Sequence, residues 1–388
     1  MTNEIRNVPE LRFPEFEDEW KQKRLGEVAE IIGGGTPSTS NPQYWGGDIN
    51  WYSPIEIGEN IYLNESKNKI TKMGLKKSSA KILPIGSVLF TSRAGIGNTA
   101  ILKKEAATNQ GFKSIVPKDN KLDTYFIFSR TNELKKYGEI NGAGSTFVEV
   151  SGKEMEKMPM LFPEISEQQK IGNFFSKLDR QIELEEQKLA KLEEQKKGYM
   201  QKIFSQELRF KDESGNEYPE WEEKKLFNVV KYLSSKRSSN YYSEDIIHGQ
   251  YPVYDAVQEI SRDTNFDIEE SYISILKDGA GVGRLNLRPG KSSVIGTMGY
   301  LLPQNIDIKF LFYYLKTMNF NRFIIGSTIP HLYFKDYSKE TILIPIDKSE
   351  QIKIGSFFIK LDSIINNKAK KIKVLKQRKQ GFLQKMFI

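Results

Sequence analysis

A glycine-rich run at residues 33–36 (GGGT) has residue types that could do chemistry, since such loops can bind phosphate through backbone N–H groups. The run lacks the GxxxxGKS/T spacing, and no lysine follows its last glycine. Two further runs, at Gly95 and Gly281, have GxG spacing without the third glycine of a dinucleotide-binding fingerprint. None of them predicts nucleotide binding, and we interpret the two GxG runs as hairpin turns that need positive φ.

Two other stretches are similar to fragments of catalytic motifs. Residues 41–44 (NPQY) resemble the NPPY-type motif with which amino-methyltransferases hold a flipped base, but the third residue differs and no glycine-rich S-adenosylmethionine loop lies upstream. Residues 222–224 (EEK) match part of a nuclease ExK signature without a paired upstream aspartate on a strand. Paired carboxylates such as Glu185 and Glu186 lie on helix faces, where solvation explains them. We therefore predict a proline-containing turn at residues 41–44 and no catalytic or metal site in this chain.

Composition narrows the class of protein. The 388 residues include no cysteine and two histidines, His248 and His331, which excludes thiol catalysis, disulfide scaffolds and histidine-rich metal sites. The net charge of +8 favours a polyanionic partner. No apolar run is long enough for a membrane span, and the first ten residues do not resemble a signal peptide. We expect a cytoplasmic protein without membrane contact.

The polar residues of the predicted loops suit nucleic-acid recognition. Arginine and lysine can hydrogen-bond guanine or bind phosphate, and asparagine and glutamine can pair with adenine. Each such residue alone would be explained as an ordinary solvent-facing residue, but their positions within a repeated module favour binding. The candidate DNA contacts are Thr36, Ser38, Ser40, Trp45, Ser92, Arg93, Asn98, Lys113, Ser145, Thr146, Lys236, Arg237, Lys277, Arg284, Asn286, Ser327, Thr328 and His331.

The elements that must position these loops occur twice. Residues 166–204 recur as residues 349–387 without a gap, and about half of the aligned positions are identical. The entry segment at residues 11–20 (LRFPEFEDEW) is echoed within residues 208–221. The order of entry segment, globular module and long helix is thus repeated once, which indicates duplication of a whole module.

Both repeated stretches have the heptad spacing of a coiled-coil helix. Ser166 and Ser349 are the predicted N-caps. Matching polar interruptions fall at Glu185, Lys196 and the corresponding positions of the second copy. The predicted seam residues are Phe175, Leu178, Ile182, Leu189, Leu192, Phe358, Leu361, Ile365, Ile372 and Leu375.

We predict that the two helices pair with each other in antiparallel orientation. The favoured register places Lys196 over Leu361 beside Asp362, and the second copy repeats this arrangement with Lys379 over Leu178 beside Asp179. The last helix is basic from residue 368 to residue 385, which fits a solvated face, a partner-protein contact or a phosphate contact.

Each globular module is predicted to be mixed α/β. In the first module, strands are expected at residues 86–90, 99–102 and 158–162, with a helix at residues 123–134. The second module matches in outline only, with a helix at residues 307–315 and the tripeptide GST repeated at residues 326–328.

The whole arrangement resembles the specificity subunit of a type I restriction-modification enzyme, over nearly the full chain. The resemblance rests on the LRFPEF…W entry, the paired SEQQ and SEQI helices with their IG.FF.KLD continuation, and the closing GYMQKIF and GFLQKMF. The segments GGGTPS, YWGG and SRAGIGN are also similar to those of first recognition domains in that family.

The resemblance implies a non-catalytic subunit. Two α/β target-recognition domains in pseudo-twofold repeat, at residues 1–163 and 208–346, would each read half of a bipartite target in double-stranded DNA. The helices at residues 164–207 and 347–388 would form an antiparallel coiled coil that sets the spacer and docks two methyltransferase subunits. Restriction subunits would join that complex, and S-adenosylmethionine, ATP and Mg²⁺ would bind to the partners.

Two other interpretations stay open at this point. A solitary DNA methyltransferase would require S-adenosylmethionine binding by the isolated chain, for which the cofactor loop is missing. A coiled-coil scaffold without DNA contact would leave the basic charge and the paired globular modules unexplained.

Overall fold

The structure is a computed structural model that describes residues 7–93, 95–144, 148–238, 242 and 249–388. The chain divides into two compact units, of which the first comprises Met1–Glu185 with Lys371–Ile388 and the second comprises Glu186–Lys370. Each unit therefore combines one globular module with segments of both long helices. Within the described ranges, no helix has the length and apolar character needed to cross a membrane.

The globular part of the first unit contains two larger sheets and a strand pair. Its strands are β1 (Lys21–Arg24), β2 (Ala29–Gly33), β3 (Trp45–Tyr52), β4 (Tyr62–Leu63), β5 (Asn68–Ile70), β6 (Val88–Phe90), β7 (Thr99–Leu102), β8 (Ala106–Thr108), β9 (Lys113–Pro117) and β10 (Pro159–Phe162). Its helices are α1 (Leu25–Val28), α2 (Lys72–Lys76), α3 (Thr124–Ser129), α4 (Thr131–Asn141) and α5 (Gly152–Lys157), followed by the long α6 (Ile165–Phe204). The strand orders are β2-β9-β6-β7-β4, β5-β3-β8 and β1-β10.

The second unit is also mixed α/β. Its strands are β11 (Glu222–Lys225), β12 (Val230–Ser234), β13 (Tyr251–Tyr254), β14 (Glu259–Asp263), β15 (Tyr272–Leu276), β16 (Leu285–Arg288), β17 (Ser293–Val294), β18 (Met298–Pro303), β19 (Ile324–Ile325), β20 (His331–Leu332) and β21 (Thr341–Ile344). Its helices are α7 (Ile308–Thr317) and α8 (Phe334–Tyr337), followed by the long α9 (Lys348–Met386). The strand orders are β12-β18-β15-β16, β14-β13-β17, β19-β20 and β11-β21.

The two units share one topology. The order β2-β9-β6-β7 corresponds to β12-β18-β15-β16, and β5-β3-β8 corresponds to β14-β13-β17. In both smaller sheets the central strand pairs antiparallel with one neighbour and parallel with the other. The sequence predicted a match in outline only. The two modules differ in most of their side chains but keep the same backbone pairing, so the strand order is more similar than the sequence. The mixed α/β prediction is confirmed.

The predicted strands at residues 86–90, 99–102 and 158–162 are confirmed as β6, β7 and β10. The single helix predicted at residues 123–134 was wrong, since it is divided into α3 and α4 at Arg130, which leaves the helical conformation (φ −94°, ψ 20°). The buried Arg130 guanidinium donates to the Leu161 carbonyl oxygen at 2.6 Å and pairs with Glu133 at 2.7 Å. This anchor ties both helices to β10.

Both long helices begin two residues before the positions that the predicted N-caps imply. Because α6 starts at Ile165 and α9 at Lys348, Ser166 and Ser349 lie inside the first turn and are not the N-caps. In α9 the carboxylate of Asp347 takes that role and accepts the Ser349 N–H at 2.7 Å. Hydrogen bonds from Ser349 lower the pKa of Asp347, as expected for a carboxylate at a helix N-terminus.

The predicted seam residues face inward in both units. Phe175, Ile182, Phe358, Ile372 and Leu375 are buried. The remaining five predicted seam residues, Leu178, Leu189, Leu192, Leu361 and Ile365, are half-buried. The period-3.5 pattern therefore identified the packed face of each helix correctly.

The predicted register is confirmed by ion pairs between the helices. In the first unit Lys379 Nζ lies 2.6 Å from Asp179 Oδ1, and Lys371 Nζ lies 3.0 Å from Glu185 Oε1. In the second unit Lys196 pairs with Asp362. The Tyr199 and Phe357 rings also meet in the second unit, with centroids 5.3 Å apart. In each unit, residues further along α6 therefore contact residues earlier in α9, so the helices run antiparallel within each unit.

Repeated residues at the start of each long helix hold the globular module. Gln168 Oε1 accepts the backbone N–H of Asp123, the N-cap of α3, at 3.1 Å. In the second unit, Gln351 Oε1 accepts the N–H of Asp307, the N-cap of α7, at 2.8 Å. The SEQ motif of both helices is therefore explained by its contact with the module.

Candidate nucleic-acid interface

Loops that are distant in sequence meet at one edge of the main sheet in the first unit. Gly33 at the end of β2 pairs with Lys113 at the start of β9, and Thr91 after β6 bridges to Phe112. Residues 91–98 connect β6 to β7 at the same edge. We call residues 33–38, 91–98, 109–113 and 148–150 the first loop edge.

Hydrogen bonds hold the glycine-rich segment of the first loop edge and the residues that follow it. Thr36 Oγ1 donates to Gln110 Oε1, and the exposed hydroxyls of Ser38 and Ser40 lie 2.8 Å apart. Trp45 Nε1 donates to the Ser38 carbonyl oxygen at 3.1 Å. These four predicted residues therefore lie together, with Gln110 as a neighbour that the sequence did not single out.

Charged side chains gather around Glu149 at the first loop edge. Lys113 Nζ lies 2.8 Å from Glu149 Oε1, and Arg93 lies 3.9 Å from Oε2 of the same carboxylate. Ser92 is buried and donates to the Gly111 carbonyl oxygen at 3.0 Å. Three predicted residues are thus brought together, while Glu149 was missed because its segment carries no motif.

The loop at residues 91–98 turns through left-handed backbone, as the GxG spacing predicted. Gly95 and Gly97 have φ of 103° and 98°. Asn98 stands exposed at the end of the turn. The predicted contacts Ser145 and Thr146 lie outside the described residues, as does His248.

The second unit forms an equivalent edge. Ser234 at the end of β12 pairs with Gly299 in β18, and Leu276 N–H at the end of β15 donates to the Arg284 carbonyl oxygen at 2.9 Å. Gly281 and Gly283 have φ of 81° and 88°, which confirms the second glycine turn. We call residues 234–238, 276–284, 296–299 and 330–332 the second loop edge.

The second loop edge carries its charges in the opposite arrangement. Arg93 bridges to Glu149 in the first unit, and at the equivalent bridge Asp278 faces His331 in the second. His331 Nδ1 lies 2.7 Å from Asp278 Oδ1, and Lys277 Nζ lies 2.8 Å from Oδ2. The acid and the base have therefore exchanged places on one backbone frame.

The other predicted residues of the second unit differ in whether their side chains are exposed or bound by neighbouring residues. Lys236, Arg284, Ser327 and Thr328 are exposed, the last two in the turn between β19 and β20. Arg237 is held by ion pairs with two carboxylates, at 2.5 Å from Asp263 and 2.8 Å from Asp267.

Asn286 is also engaged within the unit, since its Nδ2 donates to the Ala256 carbonyl oxygen at 3.0 Å. The Arg237 and Asn286 side chains thus support the loops that present their neighbours.

The family of the chain follows from its sequence profile. The profile described as "Type I restriction modification DNA specificity domain" matches residues 17–194 and 218–377, one match in each half. The chain belongs to the family of type I restriction-modification specificity subunits. This match favours neither the solitary methyltransferase nor the scaffold interpretation.

Two curated relatives of this specificity subunit align with most of its length. The specificity subunit of the type I restriction enzyme MjaIX from Methanocaldococcus jannaschii is 30% identical over 402 residues, covering 95% of this chain and 92% of the relative. The specificity subunit of EcoprrI from Escherichia coli is 25% identical over 367 residues, covering 88% of each chain.

Solved structures support the same fold. The S subunit of a type I restriction-modification system from M. genitalium matches with a TM-score of 0.68 at 16% identity, covering 98% of this chain and 99% of the other. A chain from a structure titled for complex assembly and conformational transition of the type I R-M system matches with a TM-score of 0.54 at 18% identity, covering 96% and 98%.

The motif fragments of this specificity subunit have structural explanations. A Cβ on Gly34 would clash with the Thr108 and Asn109 carbonyl oxygens, so close backbone approach accounts for that glycine. Residues 41–44 form the predicted turn, in which the Asn41 side chain accepts the Gln43 N–H at 3.0 Å. Residues 222–224 belong to β11, which pairs with β21.

Proposed function

We propose that this specificity subunit recognises a bipartite DNA target, with recognition domains at residues 1–163 and 208–346 that each read one half. The observation that carries the proposal is the pair of loop edges. One backbone frame presents Arg93 and Glu149 in the first unit and Asp278 and His331 in the second. A shared frame with different hydrogen-bonding groups suits two readers of different preference.

The cations of the two loop edges have complementary tasks in this proposal. Arg93 and Arg284 stand at the glycine turns and are suited to base edges, since a guanidinium can meet guanine O6 and N7 together. Lys113 and Lys236 lie on the same two loop edges and are suited to phosphate. Phosphate contacts supply affinity without sequence preference, and each bidentate base contact adds about 1–3 kcal/mol of discrimination.

The chain is non-catalytic in this proposal, and chemistry resides in its partners. The helices at residues 164–207 and 347–388 dock two methyltransferase subunits, which restriction subunits join. S-adenosylmethionine, ATP and Mg²⁺ bind to those subunits. The close repetition of the two helices supports two equivalent docking sites, because equal surfaces bind equal partners.

The test is methylome sequencing of a host that carries the cognate methyltransferase subunit, with and without this chain. We expect a split adenine-methylated motif that appears only with the chain and reports both half-sites and the spacer. An absence of methylation, with both subunits soluble and associated, would overturn the proposal.

A further inference from the structure

A cluster of an aspartate, a lysine and a tyrosine recurs where each module meets the helix pair. In the first unit the carboxylate of Asp179 on α6 pairs with Lys379 on α9 at 2.6 Å and accepts the hydroxyl of Tyr125 on α3 at 2.8 Å. In the second unit Asp362 on α9 pairs with Lys196 on α6 and accepts the Tyr313 hydroxyl of α7. Each aspartate thus joins three elements, namely both long helices and one helix of the module.

The tyrosines reach equivalent aspartates from different positions. Tyr125 lies in the first turn of α3, two residues after the N-cap Asp123, whereas Tyr313 lies one turn further along α7, six residues after the N-cap Asp307. The hydroxyl contact is therefore kept although its residue has changed place. Simple inheritance from the duplicated module does not explain this, because a copied tyrosine would occupy the same turn.

The charges at these sites fix which atom donates. Asp179 is 7% exposed and Tyr125 is also buried. Burial and the Asp179 carboxylate both raise the pKa of Tyr125, and burial and Asp362 do the same for Tyr313. The tyrosines therefore keep their protons and donate to carboxylates that are ion-paired with lysine, which makes these hydrogen bonds charge-assisted and directional.

We propose that Tyr125 and Tyr313 are positioning residues that fix the orientation of each recognition module on the helix pair and so sharpen the choice of DNA spacer length. The inference rests on the proposed function. Within each cluster the Asp–Lys pair links the two long helices, while the hydroxyl is the part that belongs to the module. Without it the module loses one directional contact with the helices and its orientation is less tightly fixed, while its DNA-reading loops keep their own structure.

The variants Tyr125→Phe and Tyr313→Phe remove one hydroxyl each and keep the packed rings. Tyr314→Phe is the matched control. Tyr314 is the next residue of α7, and its hydroxyl accepts the Leu343 N–H at 3.1 Å within the module, without contact to the aspartate. This control removes a comparable hydrogen bond but leaves the joint between module and helices intact.

The experiment uses complexes of each full-length chain with its methyltransferase subunit. Duplexes carry the half-sites found for the wild type, with the native spacer or with one base pair more or less, and methylation rates are measured. We expect the preference for the native spacer to fall about fivefold in each single variant, from the loss of one hydrogen bond to a charged group. The double variant should lose about 25-fold, because the two sites are in separate units and act independently.

The preference is a ratio measured on one preparation, so the folded fraction cancels. The inference is supported if both tyrosine variants keep the half-sites and accept a broader range of spacers, while Tyr314→Phe keeps the wild-type spacer profile. A wild-type profile in both tyrosine variants would overturn the inference, as would an equal broadening in Tyr314→Phe. Failure of the wild-type chain itself to direct methylation would instead count against the proposed function.

Discussion

Two pairs of side chains distinguish the loop edges at the scale of single residues. Glu149 and His331 occupy equivalent places on the returning segment, since Val150 N–H donates to the Ser92 carbonyl oxygen and Leu332 N–H to that of Lys277. A glutamate there can accept from cytosine N4, whereas a histidine with a protonated ring nitrogen can donate. One exchange of residue type therefore changes which hydrogen-bonding groups the edge presents.

Arg93→Ala tests whether the first loop edge reads bases. We expect discrimination at one position of one half-site to fall by about 1–3 kcal/mol, while the other half-site stays unchanged. Base-resolved methylation mapping provides the measurement. Lys104→Ala is the control, because Lys104 is an exposed, ion-paired cation beyond the opposite end of β7. Equal loss at both half-sites would identify Arg93 as a residue needed for folding or phosphate binding.

Acid should destabilise the second unit through two carboxylates, Asp278 at the second loop edge and Asp263, which pairs with Arg237 of that edge. Burial raises the pKa of Asp263. Hydrogen bonds from Tyr242, the Asn265 N–H and Arg237 lower it by more than burial raises it, so the pKa lies below its ordinary value. Asp278 behaves likewise, because hydrogen bonds from Lys277 and His331 outweigh its burial. With folded pKa values below the unfolded value, the stabilisation is present above about pH 4 and is lost as pH falls further.

Urea unfolding of the wild type and of Asp263→Asn between about pH 6 and about pH 3 measures this effect. The wild type should lose more stability than the variant over that range, since the amide has no proton to gain. Parallel loss in both proteins would show that Asp263 does not contribute to the pH dependence.

At the scale of elements, the residues that repeat closely in α6 and α9 are those that hold the modules. Glu167 is buried and binds Arg12 at 2.7 Å and Trp20 Nε1 at 3.4 Å, both from the entry segment. Glu350 binds Arg209 and Trp221 of the second entry segment in the same way. The repeated LRF…W entry is thus explained by two copies of one buried ionic contact.

Glycines in the long helices provide a matched test of this docking. A Cβ on Gly172 would clash with the Asp123 carboxylate, and one on Gly355 would lie 2.6 Å from Lys309 Cβ. We expect Gly172→Ala and Gly355→Ala to lower the free energy of unfolding by about 1–3 kcal/mol, because the module must shift.

Gly198 and Gly381 are the controls, since a Cβ there meets no atom within 4 Å among the described residues. Their alanine variants should be stabilised by up to about 1 kcal/mol, from helix propensity alone. Thermal or urea unfolding measures all four proteins. A stable Gly172→Ala protein would contradict the close packing of α6 on α3.

Local sequence patterns were sufficient to predict the packing of the long helices but not the side-chain contacts of the loop edges. Heptad spacing identified the seam, and the lysines at positions 196 and 379 located their aspartates, because charges in a packed seam need partners at fixed positions. Glu149 and the Tyr125 hydroxyl could not be found this way. Their partners are distant in sequence and meet only when the sheet and the helices have packed.

At the scale of the whole molecule, the duplication includes the joints between its parts. Leu208 N–H donates to the Lys202 carbonyl oxygen at the end of α6, where the chain is continuous. Leu11 N–H donates at 2.8 Å to the Lys385 carbonyl oxygen near the end of α9, although these residues lie at opposite ends of the sequence. Both entry segments therefore begin from the same helix-end contact.

An insertion in the helix pair tests whether the spacer is a property of the whole molecule. About four residues added after Glu193 in α6, with a matching insertion after Ile364 in α9, form roughly one extra turn and keep the packed faces nearly in phase. The added rise of about 6 Å corresponds to one or two base pairs at about 3.4 Å each. We expect a longer spacer with unchanged half-sites, because the loop edges lie in the modules.

The same four residues inserted after Ser214 are the control for this change in length. Ser214 lies in an exposed turn between α6 and the second module, closed by the Asp212 carboxylate, which accepts the Ser214 N–H at 2.9 Å. This insertion should alter neither the spacer nor the half-sites, since it adds no length to the packed helices. Methylome sequencing measures the spacer and the half-sites of both variants. Altered half-sites in the helix variant would contradict the proposal that the modules recognise the half-sites and the helices set the spacer length.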